Sequence, residues 1–290
     1  MDIGSYLFFK RYCSDCSTWN RWALRASGIL NRMARIVAVA NQKGGVGKTT
    51  TSINLAAALS LQGESVLLLD TDPQGNATSG LGVDSMSLAK TIYSALIGGD
   101  SVESITMETA VKGLSLVPSN SHLAGAEVDL VNMDRREHRL KHLLDEVAGR
   151  YDTILLDCPP ALGLLTINAM VAAQSILIPV QCEYYAMEGL GRLMESIQRL
   201  KQSLNQNLEI EGIVLTMYDA RNSLARQVVE QIRAHFKEVV YQTMIPRNVT
   251  LAEAPSYGRP ALLYNAASAG AQAYLSLAKE FIVHGEKSPR

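Results

Sequence analysis

Closely spaced glycines followed by lysine and threonine make a phosphate-binding turn, and Asn41-Gln42-Lys43-Gly44-Gly45-Val46-Gly47-Lys48-Thr49-Thr50 supplies them in that order. Without a Cβ, Gly44, Gly45 and Gly47 allow positive φ, and successive backbone N–H groups then converge on an anion. Lys48 adds a full positive charge, and the Thr49 hydroxyl suits a Mg²⁺ ion. The usual spacing, G-x-x-x-x-G-K-[ST], requires glycine at Gln42. Here a second lysine, Lys43, precedes paired glycines instead. Two acidic stretches complete the chemistry. In Asp70-Thr71-Asp72-Pro73-Gln74-Gly75-Asn76 and in Thr153-Ile154-Leu155-Leu156-Asp157, carboxylates lie at or just beyond the ends of apolar runs. Phosphoryl transfer uses such carboxylates to hold Mg²⁺, directly or through water, and to orient the attacking oxygen.

Those residues need a scaffold of strands that end near one another. Ile36-Val37-Ala38-Val39-Ala40, just before the glycines, is a short apolar run suited to a buried parallel strand. Thr49 and Thr50 open a helical stretch through Leu59, whose positive dipole end faces the same anion. Gly63 ends that helix, and Ser65–Asp70 forms another strand. Thr153–Asp157 stops at Cys158-Pro159-Pro160, because proline cannot continue a central strand. Further strands are expected over 175–180 and 210–217 and from residue 239. Helices are expected near 122–148, 190–204, 223–236 and 269–283. The pattern predicts a doubly wound, mostly parallel α/β sheet of about seven or eight strands flanked by helices, of the P-loop type. In such a sheet ligands gather beyond the carboxyl ends of the strands, which places Asp70 and Asp72 near the nucleotide.

Composition narrows the class. The 290 residues are 47% hydrophobic and 19% charged, enough for one substantial core. A formal charge of -1 gives no global attraction to nucleic acid, so any such affinity must come from a local patch. No run of about 18 apolar residues marks a membrane span. Four dispersed cysteines make no disulfide framework, consistent with a reducing compartment. Residues 1–32 differ from the rest: they carry both tryptophans and, with five basic and two acidic residues, a charge of +3 that leaves -4 for the remainder. They read as an N-terminal extension, a mobile tail or a mis-assigned start ahead of Met33. Cys13-x-x-Cys16 has no neighbouring second pair to complete a zinc site. The domain is therefore expected over 33–284, with a tail at 285–290.

The stretch K-G-G-x-G-K-T resembles the deviant phosphate loop of the ParA/MinD/nitrogenase-iron-protein group of ATPases. Asp70–Asn76 resembles the switch I segment of ParA proteins, and Asp157-Cys158-Pro159-Pro160 the start of switch II. Thr216-Met217-Tyr218-Asp219-Ala220-Arg221 and Ile245–Pro255 resemble Soj-type chromosomal ParA proteins, and the likeness covers about residues 33–283. The resemblance implies a slow, partner-stimulated ATPase with ATP/ADP and Mg²⁺ as cofactors. Lys43, Gly44, Gly45, Val46, Gly47, Lys48, Thr49 and Thr50 would hold the phosphates, Thr49 and Asp157 the Mg²⁺, and Pro246 and Asn248 the adenine. Asp72 would position the attacking water. Lys43 would reach the phosphates of a partner subunit in an ATP-bound homodimer.

The same likeness implies nonspecific binding of double-stranded DNA through Arg221, with Arg247 as a further candidate, although Thr250 stands where the family pattern has arginine. A ParB-like partner would trigger release, and the expected location is cytoplasmic and nucleoid-associated. Three alternatives share the loop. A nitrogenase-iron-protein-like reductase needs cysteines that bridge an iron–sulfur cluster between subunits, and Cys158 and Cys182 are not in its pattern. A MinD-like ATPase would end in a basic amphipathic membrane helix, whereas His284–Arg290 is short and mixed in charge, so no membrane partner is expected. A ParA relative moving another cargo would differ only in what it carries.

Overall fold

The computed structural model describes residues 33–287; the extension over 1–32, with its Cys13-x-x-Cys16 pair, and residues 288–290 lie outside the described residues. Eight strands form one sheet: β1 (Arg35–Val39), β2 (Val66–Asp70), β3 (Met107–Glu108), β4 (Leu114–Val117), β5 (Thr153–Asp157), β6 (Ser175–Gln181), β7 (Glu209–Tyr218) and β8 (Val240–Pro246). Their order is β3-β4-β2-β5-β1-β6-β7-β8, parallel throughout except for the β3–β4 edge pair.

The central strands are apolar on both faces because both faces are covered. Ile36 and Ala38 of β1, with Ile154 and Leu156 of β5, enter one core. Val37, Val39 and Leu155 point the other way into a second. The second core is closed by the helices Lys48–Leu61 and Ala269–Lys287, locked by a buried Thr51–Tyr274 hydroxyl contact of 3.1 Å. The first is closed by residues of helices that include Leu164–Ala172, Ala186–Ser203 and Ser223–Phe236. This is the doubly wound arrangement that the apolar runs predict.

One expectation needs correction, and two strands at one edge of the sheet go beyond what the sequence pattern indicates. The pair β3 and β4 is not evident in the sequence: it has two and four residues, and Ser115 interrupts the apolar pattern of β4. The helix expected near 122–148 is broken into Leu123–Asp129, short 3₁₀ turns and Arg139–Asp145. Arg135 takes a left-handed φ of 51° at the break, and Asn168 of the next helix draws the chain back there, accepting from Leu140 N at 3.2 Å and donating to Arg136 O at 2.8 Å. The last helix runs to Lys287, beyond the expected end near 283.

Candidate nucleotide site

The site forms where β1, β2 and β5 end level. Asp70 of β2 pairs in register with Asp157 of β5, and Val39 of β1 pairs with the same Asp157. The phosphate loop leaves β1 there. Asn41 anchors its entry, donating to Pro179 O at 2.7 Å and accepting from Lys43 N at 3.0 Å. Gly47 sits at φ 88° as the N-cap of the helix Lys48–Leu61, a left-handed geometry that glycine adopts without strain. Gly45 is also positive, whereas Gly44 is not; the freedom expected of Gly44 is unused, and a Cβ added there meets nothing within 4 Å. The Thr216 hydroxyl at the end of β7 donates to Val46 O at 2.8 Å and props the loop from the other side.

The two lysines part company. Lys48 is 7% exposed, and its Nζ donates to Lys43 O at 3.1 Å. Burial lowers its pKa, while the nearby Asp157 carboxylate acts to raise it. Lys43 is half-buried and its ammonium pairs with Glu183, on the turn after β6.

Three carboxyls face this centre. Asp157 is fully buried; Ser52 Oγ donates to its Oδ1 at 2.8 Å, but its Oδ2 is buried without a hydrogen-bond partner. Burial, followed by the neighbouring Asp70 charge, pushes its pKa up to about 7, against the opposing hold of the Ser52 hydroxyl. An orphaned buried oxygen of this kind is what a hard divalent cation would satisfy, with Thr49 as its companion. The residues present therefore fit Mg²⁺. Asp70 is a structural acid: one oxygen accepts from Thr78 N (2.8 Å) and Oγ1 (2.7 Å), the other from Asp72 N (3.1 Å). Burial nevertheless raises it to about 6. Asp72, 7% exposed, accepts from Gln74 N at 2.9 Å, and its carbonyl accepts from Ser119 Oγ at 2.8 Å. Both Asp72 and Asp157 lie close enough to act on the Lys48 charge.

A family model described as "AAA domain" matches residues 34–210. The sporulation initiation inhibitor protein Soj of Bacillus subtilis is 52% identical over 253 residues, covering 87% of this chain and all of that one. The chromosome partitioning protein ParA of Myxococcus xanthus is 51% identical over 259 residues, 89% of this chain and 92% of that one. The chain belongs to the ParA/Soj family of chromosome-partitioning ATPases. A solved structure titled cobyrinic acid a,c-diamide synthase from Mycobacterium smegmatis, with bound ADP and magnesium, superposes with TM-score 0.77 at 37% identity, over 88% of this chain and 96% of that one. The cell division ATPase MinD of Pyrococcus furiosus matches less well, with TM-score 0.71 and 27% identity over 87% and 99%.

In this ParA/Soj-family chain, Lys48, Thr49, Asp72 and Asp157 are neighbours. Pro246 and Asn248 lie at the end of β8, next to β7 and its loop-propping Thr216. Asn248 stands at the N-cap of the helix Val249–Glu253, yet its side chain makes no capping bond and its Oδ1 is buried and unpartnered. A simple turn-former would be satisfied locally. Arg221 and Arg247 are exposed; Arg221 is gripped by Asp219 through Nε (2.9 Å) and a second guanidinium nitrogen (2.8 Å). Cys158 and Cys182 are buried small residues, and burial raises both thiols. Sequence reasoning gave no role to Ser52, Asn41, Thr216 or Glu183. Their partners lie 105, 138, 170 and 140 positions away, so no local pattern could have pointed to them.

Proposed function

We propose that this chain is a Mg-ATP-dependent dimerisation switch that hydrolyses ATP to drive DNA segregation. ATP would lie along the carboxyl ends of the strands. Its phosphates would meet the loop amides, Lys43 and Lys48, its Mg²⁺ Thr49 and Asp157, and its adenine Pro246 and Asn248. Bound Mg²⁺ supplies charge neutralisation on the phosphates. Asp72 orients the attacking water, a task of positioning more than of basicity. The domain responsible begins at residue 33 and includes the last helix as far as Lys287, beyond the end expected at 284.

One observation carries the reading: the loop's two lysines face different surroundings. Lys48 is buried within its own subunit, whereas Lys43 stays half-exposed on an acid that it can release. A cation at the rim stabilises a second subunit's phosphates only after the two sites close on each other, which couples nucleotide state to assembly. The ATP dimer then binds double-stranded DNA without sequence preference through paired copies of Arg221 and Arg247, and a ParB-like partner stimulates hydrolysis and release. Such a protein would work on the nucleoid, in the cytoplasm. Among the described residues no helix is long and apolar enough to cross a membrane.

The experiment pairs light scattering with retention of nonspecific duplex DNA, with ATP or ADP, for the parent chain and Lys43→Ala. The parent should dimerise and hold DNA only with ATP, losing the DNA as salt rises. Lys43→Ala should bind ATP yet stay monomeric. An ATP dimer of Lys43→Ala equal to the parent's refutes the contact in trans, and retention by anionic vesicles in place of DNA refutes the cargo.

A further inference from the structure

Switch II, the loop Cys158–Gly163 after Asp157, leads into the helix Leu164–Ala172, whose N-cap residue is Gly163 and which has no side-chain cap from its own N-cap. Ser, Thr, Asp or Asn would be the local solution at that position. Instead the cap comes from a separate element. The Glu127 carboxylate, on the helix Leu123–Asp129, accepts from Leu164 N at 3.0 Å and from Leu165 N at 3.3 Å. It fills the space a side chain at 163 would need: a Cβ added to Gly163 would collide with the Glu127 carboxylate. Its negative charge also sits at the positive end of the helix dipole.

Glu127 is itself held firmly. Its helix buries Leu123 and Ala126, Leu130 follows into the same core, and Asp129 accepts from Tyr93 Oη at 2.9 Å. Thr166 Oγ1 returns to Ala161 O at 2.6 Å, so the loop's last turn moves with the capped helix. The loop is therefore clamped at both ends, at its entry by β5 and at its exit by Glu127. Between the clamps Pro160, Ala161 and Leu162 are exposed.

We propose that Glu127 is a positioning residue for ATP hydrolysis: by holding the exit of switch II it sets the loop that continues from Asp157. This rests on the ATPase reading above. Neither acid–base chemistry nor contact with nucleotide is assigned to Glu127; it acts through the amides of Leu164 and Leu165.

The test measures steady-state ATP turnover and amide hydrogen exchange in the full chain with Mg²⁺, for the parent, Glu127→Ala and Glu127→Gln. Glu127→Ala should lower kcat on the order of ten-fold, about 1.4 kcal/mol of barrier, with KM for ATP held within about two-fold. The Leu164 and Leu165 amides should exchange faster in that variant. Glu127→Gln keeps the shape and an acceptor oxygen and should recover most of the turnover. Parental turnover in Glu127→Ala, kcat and KM worsening together, or Glu127→Gln faring no better than Glu127→Ala each overturn the proposal. If the parent itself turns over no ATP, the ATPase reading fails by itself, and parental protection of both amides in Glu127→Ala still overturns the cap.

Discussion

Replacing Asp157 with asparagine should stabilise the protein without metal and nucleotide while weakening the function that the aspartate serves. The carboxyl is completely buried, and one oxygen has no partner. Burial and then Asp70 raise its pKa from 3.8 to about 7. Because the folded value lies above the unfolded one, the neutral form is favoured in the fold. Stability from this group is complete below the unfolded value near 3.8 and is lost as pH rises through about 7. A shift of about three units at roughly 1.4 kcal/mol each gives about 4 kcal/mol above that pH. Asp157 also supports the buried Lys48 charge, and losing that support opposes the gain. A net of about 2 kcal/mol remains, which for a domain of this size is roughly 4–8 °C in Tm.

The assay is thermal unfolding in EDTA, without nucleotide, from pH 8 down to 4. The variant should melt higher at pH 8, and the gap should close as pH falls through 7 toward 4. With Mg-ATP at about 100 times its Kd, the parent should gain about 2.7 kcal/mol and overtake the variant. Equal melting at pH 8, or a gap that widens on acidification, refutes an uncompensated buried carboxylate.

Two further outcomes test the neighbouring residues. Lys48→Gln removes the buried cation that donates to Lys43 O, and should weaken ATP binding by about 10- to 100-fold, the scale of a hydrogen bond to a charged group; titration calorimetry showing parental affinity would sink the phosphate-loop assignment. Asp72→Ala should keep ATP binding yet lower hydrolysis by about 100-fold or more and leave an ATP-bound dimer, read by phosphate release and light scattering. Parental turnover there would remove Asp72 from the mechanism.

Much of this protein is written locally. Strand, glycine turn and helix follow one another in residues 35–61, so the apolar run, the positive-φ glycines and the lysine can be read together. The same holds for Asp157, where prolines stop a buried strand just after its acid. The central strands were legible because burial on both faces demands unbroken apolar runs. Short β3 and β4 were not, since two and four residues carry too little pattern. Nor was the break in the helix near 122–148, which depends on Asn168 of a later helix.

What tertiary structure alone decided is which groups complete the site. The level ends of β1, β2 and β5 bring Asp70 and Asp157 together and leave one oxygen of Asp157 unpartnered. The turn after β6 gives Lys43 its acid, β7 props the loop through Thr216, and a separate helix caps switch II with Glu127. The glycine turn with its lysines can be read from the order of residues alone, because backbone geometry and charge at a turn are local properties. The partners that hold those residues come from strands and helices far away in the chain, and only sheet order and helix packing set those distances.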